Sequence, residues 1–288
     1  MTDTPTMDMH TDTIENIGHS TIQHGKMNDR VYLMKLDPAD RHELPEQLVG
    51  LAKEQGYSKI FTKIPGIARQ EFAKAGFALE ASIPGFYQDK GDALFMSRFL
   101  ADKRRKSAYL SRNSEVLEAC RSRRQGGEKR TLPEGYTMRL CTESDVDVMA
   151  EVYAEVFPTY PFPIDDPAYL LQTMKSHVAY FGVWNQDGKL VALASSEMDR
   201  SSASAEMTDF ATRPEERGKA LATVLLHAME DAMPGYGIKT AYTIARAPSF
   251  GMNITFARMG YVFGGQLINN TNIAGGFEDM NVWYKSLA

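Results

Sequence analysis

From residue 30 onward the chain alternates between two rhythms. Short runs rich in β-branched and aromatic residues, VYLMKL (31–36), KIFTKI (59–64), FALEASI (77–83) and DALFMSRFL (92–100), predict strands. Between them, ELPEQLVGLAKEQG (43–56) and IARQEFAKAG (67–76) carry the helical spacing and stop at Gly56 and Gly76, the residue type that closes a helix. After Pro133 the same grammar resumes. It predicts a strand at 136–142 and a helix at 143–157 with acidic residues in its first turn. The Pro-rich loop PTYPFPIDDP and a helix at 169–176 follow. VAYFGVWN and KLVALASSEMD form a hairpin about Gln186-Asp187-Gly188. The strand SAEMTDFAT, a helix at 220–233, a strand at 238–247, a helix at 252–260 and the strands YVFGGQLI and MNVWYKSL complete the chain. Strands interleaved with amphipathic helices predict an α/β fold.

The pattern also repeats itself. EFAKAGFALEASI…DALFMSRFL is echoed by TFARMGYVFGGQLI…DMNVWYKSL, so Phe72 to Phe77 matches Phe256 to Tyr261, and a strand pair follows each. The echo predicts two related α/β halves, and the length of 288 residues has room for two units. The expected organisation is a tail over 1–16, a first half over 17–100, a basic helical linker over 101–130 and a second half over 131–288. The linker holds ten Lys and Arg against four Asp and Glu, with an apolar patch at Val116, Leu117 and Cys120. A solvated helix face and a basic groove for a phosphate are both open for it.

Composition narrows the classes. A net charge of −5 argues against nucleic-acid binding. No apolar run reaches the length that spans a bilayer, and the polar, acidic N-terminus MTDTPTMDMHTDT lacks the features of a signal peptide. The two cysteines, Cys120 and Cys141, are too few for a disulfide framework. A cytoplasmic location is expected. No Cys/His cluster has zinc spacing, so no metal is expected.

The chemistry concentrates in EMTDFATRPEERGKALATVLL (206–226), where a strand runs through a turn into Arg217-Gly218-Lys219 and a new helix. A fresh helix N-terminus presents unpaired N–H groups and the positive end of a dipole, and small residues let a phosphate approach the backbone. The loop Arg217-Gly218-Lys219-Ala220-Leu221-Ala222, with its Pro214-to-Gly218 approach and the strand order around it, resembles the GNAT family of acetyl-CoA-dependent N-acetyltransferases. The resemblance implies a GNAT acyltransferase fold in the second half, a mixed and mostly antiparallel sheet flanked by helices, with a degenerate GNAT-like first half. It departs from the family at Ala220, where the loop signature has Gly, and at Phe256, where many members carry an acidic Tyr. Tyr242, Tyr261 or solvent would then protonate the thiolate.

QHGKMNDRVYLMKL (23–36) and ASIPGFYQDKGDALFMSRFL (81–100), joined to TDFATRPEERGKALA, narrow the resemblance to the β-lysine N-acetyltransferase family, from about Ile17 to the end. That resemblance implies acetyl transfer from acetyl-CoA to the N6 amine of β-lysine, giving an osmolyte. Glu206 is the expected base. Asp209 and Glu197 are expected at the amine. Phe210, Ala211 and Thr212 are expected to supply backbone donors near the thioester, Arg217 to Ala222 to hold the pyrophosphate, and Asn253 to contact CoA, to order the neighbouring strand or to cap its helix. Another small amine (lysine, a polyamine), a protein lysine and a non-catalytic CoA-binding module stay open as alternatives, as does a homodimer. One active site, in the second half, is expected.

Overall fold

The first half opens with a hairpin that the hydrophobic pattern does not announce. β1 (Thr13–Ile17) pairs antiparallel with β2 (Ser20–Gly25). The computed structural model describes residues 12–88, 91–123, 130–273 and 275–287. The tail expected over 1–16 is therefore corrected from Thr13, and its residues 1–11 lie outside the described ones. β1 is an edge strand with four exposed residues of five, so it carries no apolar rhythm.

β3 (Arg30–Lys35), α1 (Leu44–Glu54), β4 (Lys59–Pro65), α2 (Arg69–Lys74), β5 (Ala78–Ile83) and β6 (Ala93–Phe99) follow. α3 (Leu110–Ser122) leads across to β7 (Thr137–Leu140), α4 (Val146–Val156), α5 (Pro167–Ser176), β8 (Val178–Trp184), β9 (Leu190–Asp199) and β10 (Ser204–Thr212). α6 (Leu221–Ala232), β11 (Thr240–Arg246), α7 (Phe250–Arg258), β12 (Val262–Ile273) and β13 (Gly276–Ser286) end the chain.

All strands join one 13-stranded sheet in the order β1-β2-β3-β4-β6-β5-β12-β13-β11-β10-β9-β8-β7. The order β3-β4-β6-β5 recurs as β10-β11-β13-β12, with the one parallel pair first in each set. α1 and α6 make the parallel crossovers, and α2 and α7 precede the matching hairpins. The halves meet where β5 pairs with β12 through Ala81 and Gly265, residues related by the offset that matches Phe72 to Phe256. Both strands carry their bulge at corresponding positions. Gly265 has φ +141, and a Cβ there would lie 2.6 Å from the Ala81 Cα, so only glycine lets the two strands meet.

Buried polar groups fasten this seam. Lys59 Nζ lies 3.0 Å from Glu80 and donates to the Ile268 carbonyl at 2.7 Å. Arg104, expected on a solvated or phosphate-binding linker, is instead buried. It donates to the carbonyls of Asn269 at 2.9 Å and Asn28 at 2.8 Å. β12 extends past the expected 268 because its polar tail, Asn269 to Thr271, is buried against the first half. The second half adds β7, α4 and α5, which have no counterpart in the first.

Candidate functional site

β10 and β11 pair only at Ser204, Ala205 and Glu206. Beyond Glu206 they separate, because β10 bulges between Thr208 and Ala211, with Asp209 at φ +54. A cavity of about 370 Å³ opens at this split. Its walls are β8 to β13, α7, the α4–α5 loop with α5, and β1, β3 and β4 across the seam. The size suits a small ligand. A period-two strand places alternate side chains on one face, so β3 turns Arg30, Tyr32 and Met34 together into this wall.

Glu206 sits where the strands part. It is half-buried and faces Glu197 directly across the β9–β10 pair, and both line the cavity. Burial, helped by the Glu197 charge, raises its pKa to about 7 against the opposing pull of Lys63 and a Tyr242 hydrogen bond. The Tyr242 hydroxyl donates to Glu206 and accepts from Lys63 Nζ at 3.0 Å. Lys63 comes from β4, so the first half helps to set the protonation of this carboxylate. Burial also raises the pKa of Glu197, against the opposing charge of Lys63, and the His177 Nε2 lies 3.8 Å from its carboxylate. In the first half, the register position matching the Glu206↔Tyr242 pair holds Tyr32↔Phe61. A tyrosine there cannot do a carboxylate's work at neutral pH.

Asp209 lines the cavity, and both carboxylate oxygens accept hydrogen bonds. Oδ1 accepts from Tyr160 and Thr208, and Oδ2 from Ser195. The three hydroxyls tie it to the bulge and to the α4–α5 loop, and Oδ2, with one bond, keeps capacity to accept from an amine. Burial raises its pKa against those bonds.

The Arg217–Ala222 segment forms the exposed start of α6. Ala220 adopts φ +58 and ψ +24 at the N-cap, the left-handed conformation that a glycine takes without strain. No side chain caps the helix, so its first N–H groups are open. Leu221 is buried in the core and offers the loop its backbone alone. Arg217 Nε donates to the Thr212 carbonyl at 3.3 Å. Lys219 departs from expectation, since its ammonium lies 2.6 Å from Glu216 and 2.7 Å from the Tyr136 hydroxyl. Its charge is largely spent there. Phe210 lines the cavity end nearest this loop, whereas the Ala211 side chain is buried and Thr212 is half-buried.

Asn253 orders the neighbouring strands, which corrects its expected contact with CoA. It is fully buried, with Nδ2 donating to the carbonyls of Arg246 at 2.9 Å and Ser249 at 2.6 Å. Its Oδ1 accepts from Asn281 and Trp283, both at 2.8 Å. All its capacity serves to lock α7 to β11 and β13, with none left for a ligand. Phe256 lines the cavity and packs edge-on against Phe210 and Tyr261. Tyr261 is buried in the core and does not line the cavity, and Tyr242 is engaged by Lys63 and Glu206. Neither replaces the tyrosine expected at Phe256.

Sequence reasoning passed over Arg30, Tyr32, Lys63 and Tyr160. The first three lie in the half without a loop motif, and Tyr160 lies in a loop read only as Pro-rich. A charged residue opening an otherwise apolar strand, Arg30 before VYLML-type positions, was the available signal. Among the described residues, no group of three or more His, Cys, Asp or Glu could hold a metal ion, and no helix is long and apolar enough to cross a membrane.

Comparison with known proteins agrees with this geometry. The profile of the Acetyltransferase (GNAT) family matches residues 147–261. A β-lysine N6-acetyltransferase of Methanococcus maripaludis is 41% identical over 94% of this chain and 98% of its own. Another, from Methanosarcina mazei, is 34% identical over 85% of this chain and 97% of its own. The N-acetyltransferase YodP of Bacillus subtilis is 35% identical over 93% and 96%.

Proposed function

The chain belongs to the β-lysine N6-acetyltransferase family of GNAT enzymes, and on that premise we propose that it acetylates the N6 amine of β-lysine directly, with Glu206 as the base. The observation that carries the reading is the Glu206–Glu197 carboxylate pair, set at the mouth of the β10–β11 split in a cavity sized for a small amine.

A side-chain ammonium with a pKa near 10.4 is only about one part in a thousand neutral at pH 7. Two facing carboxylates attract that ammonium, and Glu206, poised at about 7, accepts a proton as the amine attacks. Lys63 and Tyr242 keep Glu206 from rising higher and fix its orientation. The residues present fit acetyl-CoA, which supplies the thioester acetyl group. The open N–H groups at the start of α6, with Arg217 and Gly218, would hold its pyrophosphate. The β10 edge at Phe210 to Thr212, which β11 leaves free, would offer backbone donors to the thioester arm. With Phe256 in place of a tyrosine, water protonates the departing thiolate.

Neither cysteine is positioned to carry the acetyl group. Cys120 and Cys141 are buried outside the cavity, and burial pushes their thiols up to about 11 and about 12. Transfer within a ternary complex follows. The test is CoA release with β-lysine, α-lysine, spermidine and no acceptor, with both substrates varied. Intersecting initial-velocity lines and fastest turnover of β-lysine support the reading; parallel lines or preference for another amine contradict it.

A further inference from the structure

The same cavity holds a buried cation that the reaction at Glu206 does not use. Arg30 is 4% exposed and lines the wall formed by the first half. Its Nη1 donates to the Asn270 carbonyl and, at 3.4 Å, to the Thr271 hydroxyl. Its Nε has no hydrogen-bond partner, and Asp12, the carboxylate whose charge acts on it, forms no ion pair with it. Asn270, 1% exposed and lining the cavity from β12, likewise leaves its Oδ1 unpartnered. The guanidinium lies over the Tyr32 ring, 5.2 Å from its centre, and over Phe61, at 5.6 Å. These rings hold the planar fork in place without neutralising it.

A buried, unpaired guanidinium is costly, and buried polar atoms without partners are rare in a finished structure. Both occur beside each other at the wall of a ligand cavity, Arg30 from the first half and Asn270 from β12 where the halves meet. Burial pushes the Arg30 pKa down to about 10, so the group still carries its charge at neutral pH. The partner to which an arginine fork is matched is an anion with two oxygens. A bare diamine has no such group.

We propose that Arg30 binds the carboxylate of the acceptor, and that the neighbouring Asn270 Oδ1 accepts from the ammonium nearest that carboxylate. The site thus recognises an amino acid by its zwitterionic end while the far amine reaches Glu206. This rests on the acetyltransferase reading above and assigns the first half a part in substrate choice.

The test compares β-lysine with its decarboxylated twin, 1,4-diaminopentane, in the wild type and in Arg30→Met and Arg30→Lys. Wild-type kcat/KM favours β-lysine by about thirtyfold or more, the size of a lost charge-assisted contact. Arg30→Met loses that preference: its kcat/KM for β-lysine falls by the same factor, while that for the twin holds within about threefold. Arg30→Lys keeps part of it and carries the test if the Met variant does not fold. A purely structural Arg30 lowers both substrates together, and that result overturns the subsite even if β-lysine remains the substrate. A wild type that handles the twin as well as β-lysine also overturns it. If the wild type ignores β-lysine and takes spermidine, the reading of the reaction fails together with the subsite.

Discussion

Replacing Glu206 by glutamine is expected to stabilise the protein while it abolishes turnover. In the fold the carboxyl holds its proton to about pH 7, against 4.5 for an ordinary glutamate. Because the folded state binds this proton more tightly than the unfolded chain, the ionised carboxylate weighs against folding. The penalty is absent below pH 4.5, grows between 4.5 and 7, and is complete above 7. The whole shift corresponds to about 3 kcal/mol. Glu197 titrates against it across the sheet, and Glu206 is half-buried, so half to all of that figure is recoverable. For a chain of this size the gain is a rise of roughly 3–9 °C in Tm at pH 8.5. It should fade as the pH is lowered toward 4.5. The assay is a thermal melt of both proteins from pH 5 to 8.5, beside CoA release with β-lysine. Turnover should drop by about a hundredfold to ten-thousandfold, the range of a lost general base. A variant no more stable than wild type at pH 8.5, or one that keeps most of its rate, would refute the reasoning.

For the wild type, log kcat/KM should rise with unit slope up to about pH 7 and then level, as Glu206 loses its proton; a flat profile from pH 5.5 to 8 would contradict this. Lys63→Met removes the cation that lowers the Glu206 pKa, so the same limb should move above pH 7; a limb that stays or moves down counts against the Lys63–Tyr242–Glu206 chain. Ala220→Gly relieves a left-handed alanine and should raise stability by up to about 1 kcal/mol without weakening acetyl-CoA binding by calorimetry. Gly265→Ala drives a Cβ against the Ala81 backbone at the junction of the halves and should cost about 3 kcal/mol or more in denaturant unfolding.

The order of helices and strands from residue 30 was legible because most strands bury apolar residues and α1, α2 and α7 end at glycines, Gly56, Gly76 and Gly260. The echo at Phe72 and Phe256 was a true guide, since the strand orders of the halves repeat. What stayed hidden was polar. β1 exposes most of its side chains, and the Asn269 to Thr271 stretch is buried through hydrogen bonds rather than apolar contact, so neither has a hydrophobic rhythm. In the site, Glu206 and the loop could be found because one stretch of chain holds both. Arg30 and Tyr160 reach the cavity, and Lys63 reaches Tyr242, only through long-range pairing, Arg30 and Lys63 across the seam at Gly265. Asn253 was the opposite case. Its position was read well, but its hydrogen-bonding capacity is spent on the fold, a fact that only coordinates contain.

The most direct measurement is the position of the acetyl group on β-lysine after reaction with carbon-13-labelled acetyl-CoA, followed by NMR of the product. Label on N6 alone, formed at a rate that Glu206→Gln removes, is the expected result. Label on the amine beside the carboxylate, or no labelled β-lysine at all, would contradict the orientation and the chemistry proposed for this cavity.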